Sequence, residues 1–262
     1  MKKLIFSILF TTILLLSTPA FAACPGGVCY VRIDGGTNVQ CLGGTDVAYD
    51  GAGTGEACAL KHPYYAFGWW RYGSIATPTG GQAGVMIGGD TVIIKPGAYQ
   101  MGNAGDFTAS CSISTYDCFA RVIPSGTAGD HTKILGCSAT GCTGAKSTYP
   151  ELWASGRTYM TFDLRNRDYI DIGWLNITDR ATCGSNHSTL GCGTADLAEL
   201  SGRDGIDISG AGNIKLENLW LHGFYRYGLY GGGVNDLTII DSNIDFNSFA
   251  GWNADSCGNT TS

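Results

Sequence analysis

The stretch NIKLENLWLHGFYRYGLYGGGVNDLTIIDSNIDFNSFAGWN, residues 213–253, decides the reading of this chain. Ile214, Leu216, Leu219 and Leu221 are followed 23 residues later by Leu237, Ile239, Ser242 and Ile244. Gly228 and Gly251 keep the same interval, and Gly205 extends it one step upstream. Each copy runs apolar-x-apolar, two residues, then apolar-x-apolar. Alternation with period two is the mark of a short strand, and the two-residue break is a corner. A helix with its 3.6-residue period would not gather these positions on one face. A third strand begins at each Gly205-type position. Three short strands per fixed repeat predict an all-β parallel β-helix, a solenoid of about 23 residues per coil, in which each coil buries its inward residues on the next. A leucine-rich repeat needs a different asparagine and leucine pattern, and a β-sandwich would not hold one spacing from copy to copy.

Upstream, the same spacing returns as Ile170, Ile172, Leu175 and Ile177, 44 residues before the copy at Ile214, with an insertion carrying Cys183 and Cys192 in between. The segment GDTVIIKPGAYQM (89–101) reads as the first rung, with HTKILGC (131–137) and YMTFDL (159–164) as further rungs. Residues 23–88 are Gly-rich and read as an N-terminal cap or loop-rich region over the open edge of the sheets. Residues 89–262 then form the β-helix, which is expected to continue past CGNTTS because a new rung begins at Gly251. Within the quoted stretch, Leu219, Leu221 and Leu229 are expected to face inward. Trp220, His222 and Tyr230 face outward, and residues 224–227 form a loop. Asn218 and Asp241 fall on equivalent corners and read as structural.

Residues 1–22 form a secretory signal: Lys2 and Lys3, an apolar run, then Ala20 and Ala22 at the cleavage positions, which places the mature chain outside the cytoplasm, secreted, periplasmic or at the cell surface. The apolar run is short for a membrane span, and no later segment is apolar enough to be one. All 11 Cys follow this signal. Their proximity favours the pairs Cys24–Cys29, Cys41–Cys58, Cys111–Cys118, Cys137–Cys142 and Cys183–Cys192, leaving Cys257 over. The rival reading makes Cys24 a lipidated N-terminus. Charged residues are 15% of the chain and the net charge is −6, so the basic footprint of a nucleic-acid binder is missing.

These features resemble the right-handed parallel β-helix proteins of the pectate lyase-like group. GDTVIIKPGAY is similar to the segment that opens the first coil in that group. The segments 30–63, PELW (150–153), ITD (177–179), LHG (221–223) and AGWNAD (250–255) resemble a narrower set of secreted bacterial β-helix proteins. The broader group holds pectate and pectin lyases, polygalacturonases and epimerases, but also adhesins and phage tailspikes, so the resemblance implies a fold more firmly than a reaction.

Stacking by 23 residues would set Asp207, Tyr230 and Asn253 in one outward column, with neighbours about 4.8 Å apart. Arg203 and Arg226 stack just before it, and Asp204 and Asp255 flank it. A strip of carboxylates, arginines and aromatics suits an acidic polysaccharide. Arg grips a uronate carboxylate through a planar fork, and Tyr or Trp offers a flat face to a sugar ring. Arg203, Tyr230, Asn253 and Trp220 are the expected binding residues. Ca²⁺ held by Asp204, Asp207 and Asp255 would bridge to a uronate, since it takes oxygen ligands. The resemblance implies an arginine as the base of a lyase, which puts Arg226 in that role. Asp207 is a further catalytic candidate. His222, in an outward column with Thr178 and Asp245, is another, as one half of an imidazole–carboxylate pair. The hydrolase signature of the group is absent. The plainer readings are a solvated face of Arg–Asp pairs and a non-catalytic surface or adhesion module. The insertion after Asp179, carrying Arg180 and His187, reads either as a lid or as a disulfide-pinned loop.

Overall fold

The computed structural model of the chain describes residues 24–71, 80–102, 118–120, 122–155, 158–179, 202–247 and 249–254. The expected signal segment, the Cys111–Cys118 and Cys183–Cys192 pairs, His187, Asp255 and Cys257 lie outside what is described. The chain is all-β, with almost no helix and three parallel sheets, an arrangement compatible with a parallel β-helix. The first sheet holds, in order, β1 (Val28–Gly36), β4 (Thr91–Ile94), β7 (Thr132–Gly136), β10 (Asp168–Gly173), β13 (Gly212–Glu217) and β16 (Asn235–Ile240). The second holds β5 (Ala98–Gly102), β8 (Glu151–Ser155), β11 (Asn176–Asp179), β14 (Trp220–His222) and β17 (Asn243–Asp245). The third holds β9 (Met160–Asp163), β12 (Asp204–Asp207), β15 (Tyr227–Tyr230) and β18 (Ala250–Asn253). A small antiparallel sheet joins β2 (Gly68–Arg71), β3 (Gly80–Ala83) and β6 (Cys118–Ala120).

From β7 onward, each consecutive trio of strands supplies the first, second and third sheets in turn. The inward residues therefore stack into three ladders. In the first sheet the ladder is Cys29–Val92–Ile134–Ile172–Leu216–Ile239. In the second it is Tyr99–Leu152–Ile177–Leu221–Ile244, and in the third Phe162–Ile206–Leu229–Trp252. Every member before the last rung is at most 2% exposed. Each such aliphatic side chain contributes about 1.5–3 kcal/mol by leaving water. The 23- and 44-residue intervals of the sequence are the pairing registers Leu216–Ile239 and Ile172–Leu216. Ser242, the polar member of the repeat, accepts the Leu219 N–H at 3.1 Å and donates to the Ile240 carbonyl at 2.9 Å.

Two details differ from the expectation. The region read as a cap supplies β1, which lies beside β4 one rung ahead of the segment expected to open the repeat. Phe224 and Tyr227 are not loop surface: Phe224 is fully buried, and Tyr227 opens β15 and is also buried. The disulfides Cys24–Cys29, Cys41–Cys58 and Cys137–Cys142 are formed as proximity suggested. The first of these occupies the Cys24 sulfur, so the lipidated alternative is set aside. Among the described residues no helix is long and apolar enough to cross a membrane.

Corners are sharpened by residues with left-handed backbone. Trp174, Asn218 and Asp241 stand at one corner of three successive passes, with φ of 54°, 52° and 45°. Tyr169, Asn213 and Asp236 do the same at the start of β10, β13 and β16. Asn and Asp tolerate this region because a short polar side chain bonds locally. The Gly205–Gly228–Gly251 column has a different cause. A Cβ on Gly205 would lie 2.4 Å from the Gly228 carbonyl oxygen and 2.9 Å from the Phe224 ring. We expect Gly205→Ala to lower stability by about 1–3 kcal/mol through overpacking. Gly129→Ala, which meets open space, should stay within about 0.5 kcal/mol of wild type. Urea melts of the two variants compare them directly.

Candidate functional site

The third sheet carries the strip expected from the sequence and lengthens it. Asp163, Asp207, Tyr230 and Asn253 are register partners across β9, β12, β15 and β18. Asp163 is fully buried and grips Arg165 with both oxygens, Oδ1 to Nε at 2.9 Å and Oδ2 to Nη2 at 2.6 Å. Asp207 is 4% exposed. Its Oδ1 accepts the N–H and O–H of Ser209 at 3.0 and 2.6 Å, and its Oδ2 lies 3.9 Å from Arg165 Nε. Burial raises the Asp207 carboxyl, while the Ser209 hydrogen bonds and Arg165 oppose the rise. Asp207 is therefore an internally satisfied acid rather than one offered to a ligand. The sequence reading missed Asp163 and Arg165. The signal was the 44-residue interval linking Asp163 to Asp207, hidden by the insertion between β11 and β12.

The reactive part of the strip lies at the other end of these strands. The Arg226 N–H bonds the Arg203 carbonyl at 2.9 Å, so the two arginines stack on successive passes as expected. The Arg203 guanidinium lies 4.2 Å over the Tyr159 ring, and that of Arg226 lies 4.5 Å over Tyr227 and 5.6 Å from Tyr230. Tyr227 and Tyr230 stack nearly parallel, with centroids 5.2 Å apart. Beneath the arginines sits Asp204, 1% exposed. Its Oδ2 is 3.5 Å from Arg203 Nε and 3.9 Å from Arg226 Nη1. Its Oδ1 has no hydrogen-bond partner among the described residues. Asp204 stands two residues before Ile206 and so shares the inward parity of the strand, with buried Met160 and Tyr227 as register partners. The sequence reading placed it on the outer flank as a metal ligand, overlooking that parity.

The expected calcium ligands are Asp204, Asp207 and Asp255, of which Asp255 lies outside the described residues. Asp204 Oδ2 faces two guanidiniums, Asp207 Oδ1 is held by Ser209, and no group of three or more His, Cys, Asp or Glu converges for a metal among the described residues. Burial instead lifts the Asp204 carboxyl to about 7; Arg203 opposes the rise and Asp207 adds to it. Burial disfavours the charged form of a carboxyl that only one oxygen's distant arginines offset.

On the second sheet, His222 is in register with Thr178 and Asp245 as expected. The anticipated His222–Asp245 pair is replaced by other partners. His222 Nε2 lies 2.9 Å from Asn176 Oδ1 and Nδ1 lies 3.3 Å from Thr178 Oγ1, while Asp245 accepts the Trp220 indole N–H at 2.9 Å. The Trp220 ring stacks on the imidazole at 4.0 Å. Burial lowers the His222 pKa, and Asp245 and Glu151 oppose the shift. Trp220 and His222 form a braced aromatic face with both imidazole nitrogens engaged.

The raised Asp204 pKa makes a pH prediction. The folded value, about 7, lies above the ordinary 3.8, so the folded state holds this proton more tightly. Its contribution is full below the ordinary value, falls as pH rises through the window up to the folded value, and stays reduced above it. Asp204→Asn should flatten the loss of stability across that window, a loss of up to ~4 kcal/mol for a shift of this size. Thermal melts of both proteins across the window test this; parallel pH profiles would rule it out. No protein-family model, no curated protein and no solved structure matches this chain.

Proposed function

We propose that the chain is a secreted right-handed parallel β-helix protein of the pectate lyase-like kind that binds an acidic polysaccharide along its third sheet. The observation that carries this reading is the Arg203–Arg226 pair. Two guanidiniums stand on successive passes, each held over tyrosine rings and each about a quarter exposed or less. Cations repeating at the strand spacing of about 4.8 Å, with Tyr230 beside them, present planar forks to the carboxylates of a uronate chain. The ring contacts fix the forks before ligand arrives, which reduces the ordering cost of binding. The three disulfides and the apolar N-terminal segment support secretion.

Lyase chemistry is the second reading of the same strip. Elimination at a uronate removes the proton next to the carboxylate and returns one to the leaving oxygen. Arg226 was expected as the base, but it stands beside Asp204 as a cation facing a carboxylate. The guanidiniums are thus suited to hold uronate carboxylates, and Asp204, 1% exposed beneath them, reaches a ligand only through the arginines it faces. A non-catalytic adhesion module would use the same arginines and tyrosines and leave Asp204 as a buried structural acid.

Retention on immobilised polygalacturonate and alginate, with the ultraviolet absorbance of unsaturated product read in parallel, tests both steps. Arg203→Ala and Arg226→Ala should each weaken retention ~10-fold or more, the size expected for a lost charged hydrogen bond. Added salt should weaken it further. Product formation lost in Asp204→Asn with retention kept would support the lyase step. Retention without product in wild type would leave a binding module. A folded chain that ignores both polymers would end the reading.

A further inference from the structure

The outer face of the first sheet holds a cleft of about 170 Å³, remote in the fold from the arginine strip. The outward row across β7, β10, β13 and β16 reads Leu135, Gly173, Glu217, Ile240, and Gly173 makes a narrow gap in it, where a Cβ would lie 3.1 Å from the Glu217 carbonyl oxygen and 3.7 Å from Leu135 Cδ2. The neighbouring row reads Lys133, Asp171, Lys215, which lines the gap with alternating charge. Asp171 is bonded to His131 at 2.9 Å, and Lys215 is paired with Glu217. Lys133 is half-buried, and its ammonium has no carboxylate partner among the described residues.

Trp174 forms the wall. It stands at the corner where the next two passes place Asn218 and Asp241, with the same left-handed φ. Asn and Asp suit that conformation, and a bulky aromatic does not. Trp174 is therefore a poor local choice, as is Tyr169 at the start of β10, and what sets Trp174 apart is the packing behind its ring. The surroundings are shaped to its ring. A Cβ on Gly141 would lie 2.1 Å from the indole, so only glycine allows the contact. Gly141 belongs to the loop closed by Cys137–Cys142, whose Ala139 also lines the cleft. An indole braced from behind, beside the apolar Leu135, suits the face of a sugar ring. The cleft is below the ~300 Å³ of a drug-sized pocket, so it takes one ring rather than a chain.

We propose that this cleft is a second saccharide subsite, for a single carboxylated sugar residue, with the Trp174 indole as its platform and Lys133 as the carboxylate partner. Asp171 and Glu217 accept from ring hydroxyls. The ligand class rests on the proposed function; the site does not, since it shares no residue with the arginine strip.

The test is fluorine NMR of the full chain labelled with fluorotryptophan, in which each Trp gives its own line. The Trp174 line is the one lost in Trp174→Asn, a change to the residue type of the next pass. Trp174→Asp, as at Asp241, serves as a second assignment variant. Trigalacturonate should shift the Trp174 line saturably. Lys133→Met should weaken that response ~10-fold, as expected for a lost charged contact, and uncharged galactotriose should leave it unchanged. The shift should persist in the Arg203→Ala/Arg226→Ala protein, so failure of the arginine strip and failure of this cleft are read separately. A Trp174 line unmoved by trigalacturonate overturns the proposal. So does a shift insensitive to Lys133→Met, or one that disappears with the two arginines.

Discussion

Everything else in this protein hangs on the stacking of inward apolar ladders in parallel register. A strand shifted by one residue would turn its whole inward set to the outside, so the step between consecutive strands cannot drift. The step from Phe162 to Ile170 is repeated from Ile206 to Ile214 and from Leu229 to Leu237. Extra residues are admitted only at corners. One insertion lies between β7 and β8, pinned by Cys137–Cys142, and another lies between β11 and β12. The first braces Trp174. The second runs, in sequence, up to Gly202, just before Arg203 and Asp204. In both cases chemistry-bearing residues sit where the repeat allows added chain, on a frame that the ladders hold fixed.

Burial of the third-sheet acids follows from the same constraint. Asp163 and Asp207 share a register column, and parallel pairing sets neighbouring carboxylates about 4.8 Å apart. Two anions that close, out of water, need a cation between them, and Arg165 supplies it for both. Asp204 has no equivalent arrangement: its arginines lie at 3.5 and 3.9 Å and serve only one of its oxygens. Burial without such a partner raises the Asp204 carboxyl to about 7.

Much of this was legible in the sequence because period and register are the same information in a stacked repeat. The intervals of 23 and 44 named the partners Asp207–Tyr230–Asn253 and Thr178–His222–Asp245 without a structure. Side-chain direction near corners was not legible. Phe224 is turned into the core by an irregular bend whose backbone is held by Asn247 Oδ1 at 3.0 Å. His222 and Asp245 are register neighbours that bond elsewhere, because Asn176 and the Trp220 indole offer better-placed partners. β1 went unread because one early strand in a Gly-rich region has no interval to compare with.

Where a chain repeats, each position carries its own control, namely the residues in register with it. Asp204 stands where the passes on either side place Met160 and Tyr227. Trp174 stands where the following passes place Asn218 and Asp241. A buried carboxyl in an apolar column and an indole at a left-handed corner are both unfavourable by the standard of their own neighbours. Neither is needed to pair the sheets, since the adjacent strands pair without them. Both are backed by surrounding structure: the stacked arginines over Asp204, and the glycine and disulfide loop behind Trp174. A cost carried at one pass and absent from the next, together with the parts that make it tolerable, separates function from scaffold in a fold whose scaffold is otherwise uniform.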